Sequence, residues 1–174
     1  MRNMFETVHL KIRKFNIDDA PYLYENHLED DVKMWIPNES YADIKETKNA
    51  IDFYTTCVNN GNLPYVLAVE LKETGELIGD TGINLVEGSS SEVEIGYVIS
   101  KKYSGRGYAT ELLAAMTKFA AEKFSVKILY GRVMRGNNAS IRVLKKNGYV
   151  FQREESRAED DPYGNGMLVY KKEC

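Results

Sequence analysis

Apolar positions along the chain change their period several times, and each change marks an element. Val8-His9-Leu10-Lys11-Ile12-Arg13 alternates, the signature of a strand with one wetter face. Asn16-Ile17-Asp18-Asp19 then offers an N-cap followed by acids, predicting a helix that runs to about Leu28. Residues 31–37 form a short apolar stretch closed by Pro37. Ser40 is expected to open a second helix, with Asp43 as a capping-box acid and Ile44, Ile51, Tyr54 and Val58 on its inner face. From Pro64 the pattern becomes that of a sheet. Two β-rich runs, 65–71 and 77–85, flank a hairpin connection with Gly75 in its turn, and 92–99 continues the meander. Leu112, Leu113, Met116, Phe119 and Ala120 then restore a 3.6-residue period. The strand expected at 127–134 follows that helix, so it runs parallel to the strand before it or splays from it. A last helix over 137–147 ends at Gly148 in a left-handed cap, and 149–151 with 167–170 close the sheet.

These elements add up to an α/β (α+β) fold with six to seven strands and about four helices. At 174 residues the chain matches one domain, 1–174, on the usual scale of about 100–200 residues per domain. Net charge is −3, and no run of Lys or Arg is longer than two, so a basic stripe for nucleic acid is missing. No apolar stretch of membrane-spanning length occurs, and the first residues lack the apolar core of a signal peptide. Cys57 and Cys174 read as reduced thiols, which points to a cytoplasmic protein. His9 and His27 have no partners at metal-ligand spacing, so no metal is expected. The acids at Glu154, Glu155, Glu159, Asp160 and Asp161 read as a solvated loop that would also attract a cation.

The chemistry gathers where the fourth of these strands meets its helix. Ile95-Gly96-Tyr97-Val98-Ile99 ends in Ser100, and Ser104-Gly105-Arg106-Gly107-Tyr108-Ala109-Thr110 turns into the helix. The first amides of a helix lack carbonyl partners, and glycines beside them let an anion approach the backbone. Hydrogen bonds to a charged group contribute about 1.5–3 kcal/mol each, so a few such amides make a phosphate site. The turn lacks the Gly-Lys-Ser/Thr of a P-loop, and Thr110 stands where a dinucleotide fingerprint needs its third glycine. It reads either as another kind of phosphate turn or as a purely structural joint.

The turn resembles the Gln/Arg-x-x-Gly-x-Gly/Ala pyrophosphate motif of the GNAT N-acetyltransferases, with Ser104 in the first position. Asn137-Asn138-Ala139-Ser140, continued to Gly148-Tyr149, is similar to a segment of the RimJ/RimL-like branch of that family. The likeness runs in order from about Leu10 to Leu168. It implies a mixed, mostly antiparallel sheet splayed between the strands near 92–99 and 127–134. It implies acetyl-CoA as co-substrate, its pantetheine arm along the backbone of Tyr97, Val98 and Ile99. Its diphosphate would rest on Ser104, Gly105, Arg106, Gly107, Tyr108, Ala109 and Thr110. Asn137 would reach the cofactor arm, or serve as an N-cap.

The implied reaction is attack of a primary amine on the thioester in a ternary complex. Glu94 is the carboxylate the resemblance places as base. Many relatives carry a tyrosine acid seven residues after the motif's Asn, and here that position is Leu144. Ser140 is the replacement candidate, its alternative being a helix-capping hydroxyl. Trp35 and Tyr41 are candidates for an apolar wall of the acceptor site, or for core. A protein N-terminal amine, roughly a tenth neutral at pH 7 against about one part in a few thousand for lysine, needs only a weak base. The alternatives are a small-molecule amine acceptor (aminoglycoside, polyamine or amino acid), a non-catalytic acyl-CoA-binding module, and a nucleotide-binding regulator. A homodimer is common among relatives in that family.

Overall fold

A computed structural model describes residues 3–174. Its strands are β1 (Asn3–Glu6), β2 (Leu10–Arg13), β3 (Tyr65–Leu71), β4 (Leu77–Leu85), β5 (Glu92–Ile99), β6 (Ile128–Met134), β7 (Val150–Glu155) and β8 (Met167–Glu173). The helices are α1 (Ala20–Asn26), α2 (Asp30–Trp35), α3 (Ile44–Asn60), α4 (Tyr108–Phe124) and α5 (Asn138–Lys146). One sheet holds all eight strands in the order β1-β2-β3-β4-β5-β6-β8-β7, and β5–β6 is its parallel neighbour pair. The strand beyond the expected seven is β1, which pairs with β2 across a hairpin.

The parallel pair is what opens the molecule. It has only three rungs, Glu92 to Ile128, Val93 to Leu129 and Glu94 to Tyr130. Beyond Glu94, β5 continues against β4 alone, while β6 continues against β8. Each then presents one edge of backbone N–H and C=O groups with no strand partner among the described residues. This is the splay the resemblance implies. A parallel connection needs a crossover, and α4 supplies it.

Alternation along β5 sends successive side chains to opposite faces. Val93, Ile95, Tyr97 and Ile99 join the larger core with Leu112, Leu113 and Met116 of α4 and Leu144 of α5. The other face packs α1 and α3 through a smaller cluster around Phe15, Leu23, Ile51 and Ala68. Arg13, buried at the end of β2, bonds to Asp19 at 2.8 Å and to Glu70 at 2.9 Å, tying that layer to the sheet.

One expected boundary moves. Asn16 does cap the first turn, with a full capping box. The second long helix, however, opens at Ile44, not near Ser40. Asp43 is itself the N-cap, accepting from Glu46 N, because Ser40 Oγ is occupied by the carbonyl of His27. The stretch expected only as apolar, 31–37, forms most of α2. Cys57 and Cys174 are both free thiols. No helix among the described residues is long and apolar enough to cross a membrane.

Candidate active site

The turn between β5 and α4 is held from outside. Glu29 accepts from Ser100 Oγ and Lys101 N, both at 3.1 Å. On the helix side, Glu111 accepts from Thr7 Oγ1 at 2.6 Å, His9 N at 2.8 Å and His9 Nδ1 at 2.9 Å, pinning the start of α4 to the β1–β2 hairpin. Ser104 Oγ donates to Lys101 O at 2.7 Å, so this side chain closes the turn.

What the clamp leaves open is main chain. Gly105 (φ +75°) and Gly107 (φ +84°) adopt left-handed backbone, and a Cβ at either would meet nothing within 4 Å. Gly107 is the N-cap of α4 and has no side chain to cap it. The amides of Gly105, Arg106, Gly107, Tyr108, Ala109 and Thr110 find no acceptor among the described residues; the first bond of the helix runs from Glu111 N to Gly107 O. Arg106 and Lys102 both lie over the Tyr103 ring, at 5.7 and 5.3 Å from its centroid, bringing positive charge to the rim. Donors, dipole and cations therefore converge on one exposed turn fit for a diphosphate.

Glu94 is the last paired residue before the splay and lies on the face opposite Tyr97. Burial pushes its pKa above the ordinary carboxylate value; Arg132 pulls it down, and Asp160, Glu155 and Glu39 push it up. Its cross-strand neighbour is Asn84, and beyond it Gly82 faces Gly96, where the absence of side chains leaves room. Arg132 donates to Glu155 at 2.7 Å and to Asp160 at 3.0 Å. The acidic loop is therefore not simply solvated. Glu154 and Glu155 belong to β7, Asp161 is buried and accepts from Gly166 N, and Asn38 Nδ2 donates to Glu159 O. Two cavities meet at Asn38: one of about 710 Å³ beside Arg132, Glu155 and Asp160, and one of about 430 Å³ walled by Glu39, Tyr41 and Tyr54.

Across the sheet, Asn137 caps α5, its Oδ1 accepting from Ser140 N at 3.4 Å. Ser140 sits on the first turn, half-buried. Leu144 is buried against Gly131 of β6, whose lack of a Cβ its methyl group requires. Trp35 leans on Gly136, 3.6 Å from where a Cβ would stand, immediately before Asn137. Tyr41 Oη meets Tyr54 Oη at 3.0 Å, so it is at once cavity wall and part of the smaller cluster.

Sequence reasoning passed over the polar groups under this cavity. His27, buried, bonds through Nε2 to Asp80 Oδ2 at 2.7 Å and through Nδ1 to the carbonyl of Glu39. An aspartate inside the apolar run of β4 was the available signal for that pair. Arg132, a charge within an otherwise apolar strand, was the signal for the other. Among the described residues no group of three or more His, Cys, Asp or Glu could hold a metal ion.

The family profile described as an acetyltransferase (GNAT) domain matches residues 9–150. The chain is 24% identical over 148 residues to the uncharacterized N-acetyltransferase p20 of Bacillus licheniformis, covering 85% of this chain and 82% of that protein. It superposes on a GNAT-family acetyltransferase from Bacillus anthracis with a TM-score of 0.80, at 24% identity, covering 97% and 96% of the two chains. Against RimL, a ribosomal L7/L12 α-N-protein acetyltransferase solved with coenzyme A, the TM-score is 0.82 at 17% identity, over 99% and 98%. At such identities the structural matches establish the fold alone.

Proposed function

Since the chain belongs to the GNAT acetyltransferase family, whose co-substrate is acetyl-CoA, we propose that it transfers an acetyl group to the α-amine of a protein N-terminus. The observation that carries this reading is the run of acceptorless amides from Gly105 to Thr110 beside the β5–β6 splay. Gly105 and Gly107 fit a diphosphate because nothing fills the space their side chains would take. The unpaired edge of β5 beyond Glu94 offers main-chain groups to the amides of the pantetheine arm, with Tyr97, Val98 and Ile99 supplying them. When bound, acetyl-CoA supplies the activated acetyl thioester.

The chain's own residues then divide the work. Glu94, raised in pKa by burial and by neighbouring carboxylates, accepts the proton of the attacking amine, directly or through one water. Its ordinary range lies well below that of an α-amine near 8, so the fraction of neutral acceptor helps as much as the base. Asn137 fixes the first turn of α5 and so the place of Ser140. The Ser140 hydroxyl donates to the sulfur as charge develops there. Trp35 and Tyr41 bound the acceptor from the α2–α3 side, and Glu39, Asp160 and Glu155 give that side a negative field that favours an ammonium group. The likeness to RimL, an α-N-protein acetyltransferase of ribosomal L7/L12, supports a terminal amine over a lysine side chain.

The test is release of free thiol from acetyl-CoA with an amine panel: peptides with free N-termini, aminoglycosides, polyamines and amino acids. Turnover with the peptides and loss of it on N-terminal blocking is expected. Turnover confined to small amines would replace the acceptor, and binding of acetyl-CoA without turnover on any amine would replace the transferase reading by an acyl-CoA-binding module.

A further inference from the structure

Tyr97 is the one core tyrosine whose hydroxyl oxygen is buried with no hydrogen-bond partner among the described residues. The neighbouring phenols are engaged: Tyr149 Oη is 2.7 Å from Thr117 Oγ1, and Tyr130 Oη donates to Glu92. A buried hydroxyl without a partner is costly, and evolution-tolerated exceptions concentrate where a group has work in another state of the molecule. Burial pushes the Tyr97 phenol pKa above its ordinary value, and Ser140 is the side chain that pulls it back. Ser140 precedes Ile141, which packs against the same core as Tyr97, and Tyr97 Oη is without a hydrogen-bond partner among the described residues.

The placement is specific. Tyr97 lies three residues beyond Glu94 on β5, so its side chain projects to the opposite face, toward α5. Position 144, which would bring a phenol to the site from α5, is filled by Leu144 packed on Gly131. The phenol reaching the same helix comes instead from the sheet. A serine hydroxyl rotates freely among its staggered wells, and alone it does not favour the orientation that aims its proton at sulfur.

We infer that Tyr97 is a positioning residue for Ser140: its hydroxyl donates to Ser140 Oγ, occupying an oxygen lone pair and directing the serine proton at the departing sulfur. In the transfer the amine nitrogen bonds to the acetyl carbonyl carbon, the carbon–sulfur bond breaks with its electron pair on sulfur, and Ser140 Oγ gives its proton to that sulfur. The proton that the amine gives up to Glu94 passes to solvent, and Ser140 Oγ regains one from solvent. Tyr97 keeps its own proton throughout. This rests on the transferase reading above, and gives Ser140 the support that reading leaves unstated.

The experiment compares wild type, Tyr97→Phe, Ser140→Ala and the double variant, in thiol-release kinetics and in thermal unfolding without acetyl-CoA. Tyr97→Phe should lower kcat about tenfold, which is roughly 1.4 kcal/mol of barrier, with the KM for acetyl-CoA within twofold. In the Ser140→Ala background it should change nothing further. In the unliganded chain Tyr97→Phe should unfold at a higher temperature than wild type, since it removes an unsatisfied hydroxyl. Wild-type kcat in Tyr97→Phe, equal losses in both backgrounds, or a lowered unfolding temperature would each overturn the inference while leaving the transferase reading intact. A wild type that releases no thiol with any amine would bring down both.

Discussion

Replacing Asp80 by Asn should cost the fold a pH-dependent amount that can be worked from the structure. Burial alone would lower the His27 pKa, but the charge and hydrogen bond of Asp80, with the carbonyl of Glu39, outweigh it and raise it from 6.5 to about 9. A folded-state pKa above the unfolded one stabilises fully below pH 6.5, and the contribution is lost as pH rises through about 9. At about 1.36 kcal/mol per tenfold, the pair contributes about 3 kcal/mol below neutrality. For a chain of this length that corresponds to about 6–12 °C in Tm. Thermal unfolding followed by circular dichroism from pH 6 to 10 should show Asp80→Asn well below wild type at pH 6, the gap closing toward pH 10. A gap that stays constant across the range would refute the assignment of a charged His27. The pair also braces the turn that carries Glu39, so the KM for the amine should rise more than that for acetyl-CoA.

Glu94→Gln should lower kcat by about 10²–10⁴, the usual contribution of a positioned base. The wild-type advantage should shrink as pH falls through the raised Glu94 pKa, and Tm at pH 7 should rise because an ionised, half-buried carboxylate has been removed; a pH-independent ratio would remove Glu94 as base. Gly107→Ala places a side chain at φ +84°, a strain of about 1–2 kcal/mol. Because a Cβ there meets nothing, the turn rather than the core should yield, and the Kd for acetyl-CoA measured calorimetrically should rise at least tenfold; an unchanged Kd would show that this backbone does not bind it.

Much of this was legible because it is local. Period changes along the chain marked seven of eight strands, and Gly105 and Gly107 announced a turn whose conformation only glycine adopts readily. The strand that escaped, β1, is four residues long and leans on its hairpin partner more than on any pattern of its own. The start of α3 was misplaced because Ser40 and Asp43 are both good caps, and only the folded chain shows Ser40 bonded to the carbonyl of His27. The acceptor side was hardly legible at all. Arg132 meets Glu155 and Asp160 through strand order, β8 intervening between β6 and β7, and His27 meets Asp80 across a separation of 53 residues. Composition placed the loop acids in solvent; topology places several of them on an arginine. The vacant phenol of Tyr97 likewise has no signature in the sequence, since it depends on what fails to approach it.

The account turns on main-chain amides as the grip on coenzyme A, and amide correlation spectra recorded while coenzyme A is titrated into the protein address that directly. The N–H resonances of Gly105, Arg106, Gly107, Tyr108, Ala109 and Thr110 should move farthest downfield, together with the backbone of Tyr97 to Ile99, and saturate at one equivalent. Saturable binding whose shifts fall elsewhere, with those six amides unmoved, would contradict it.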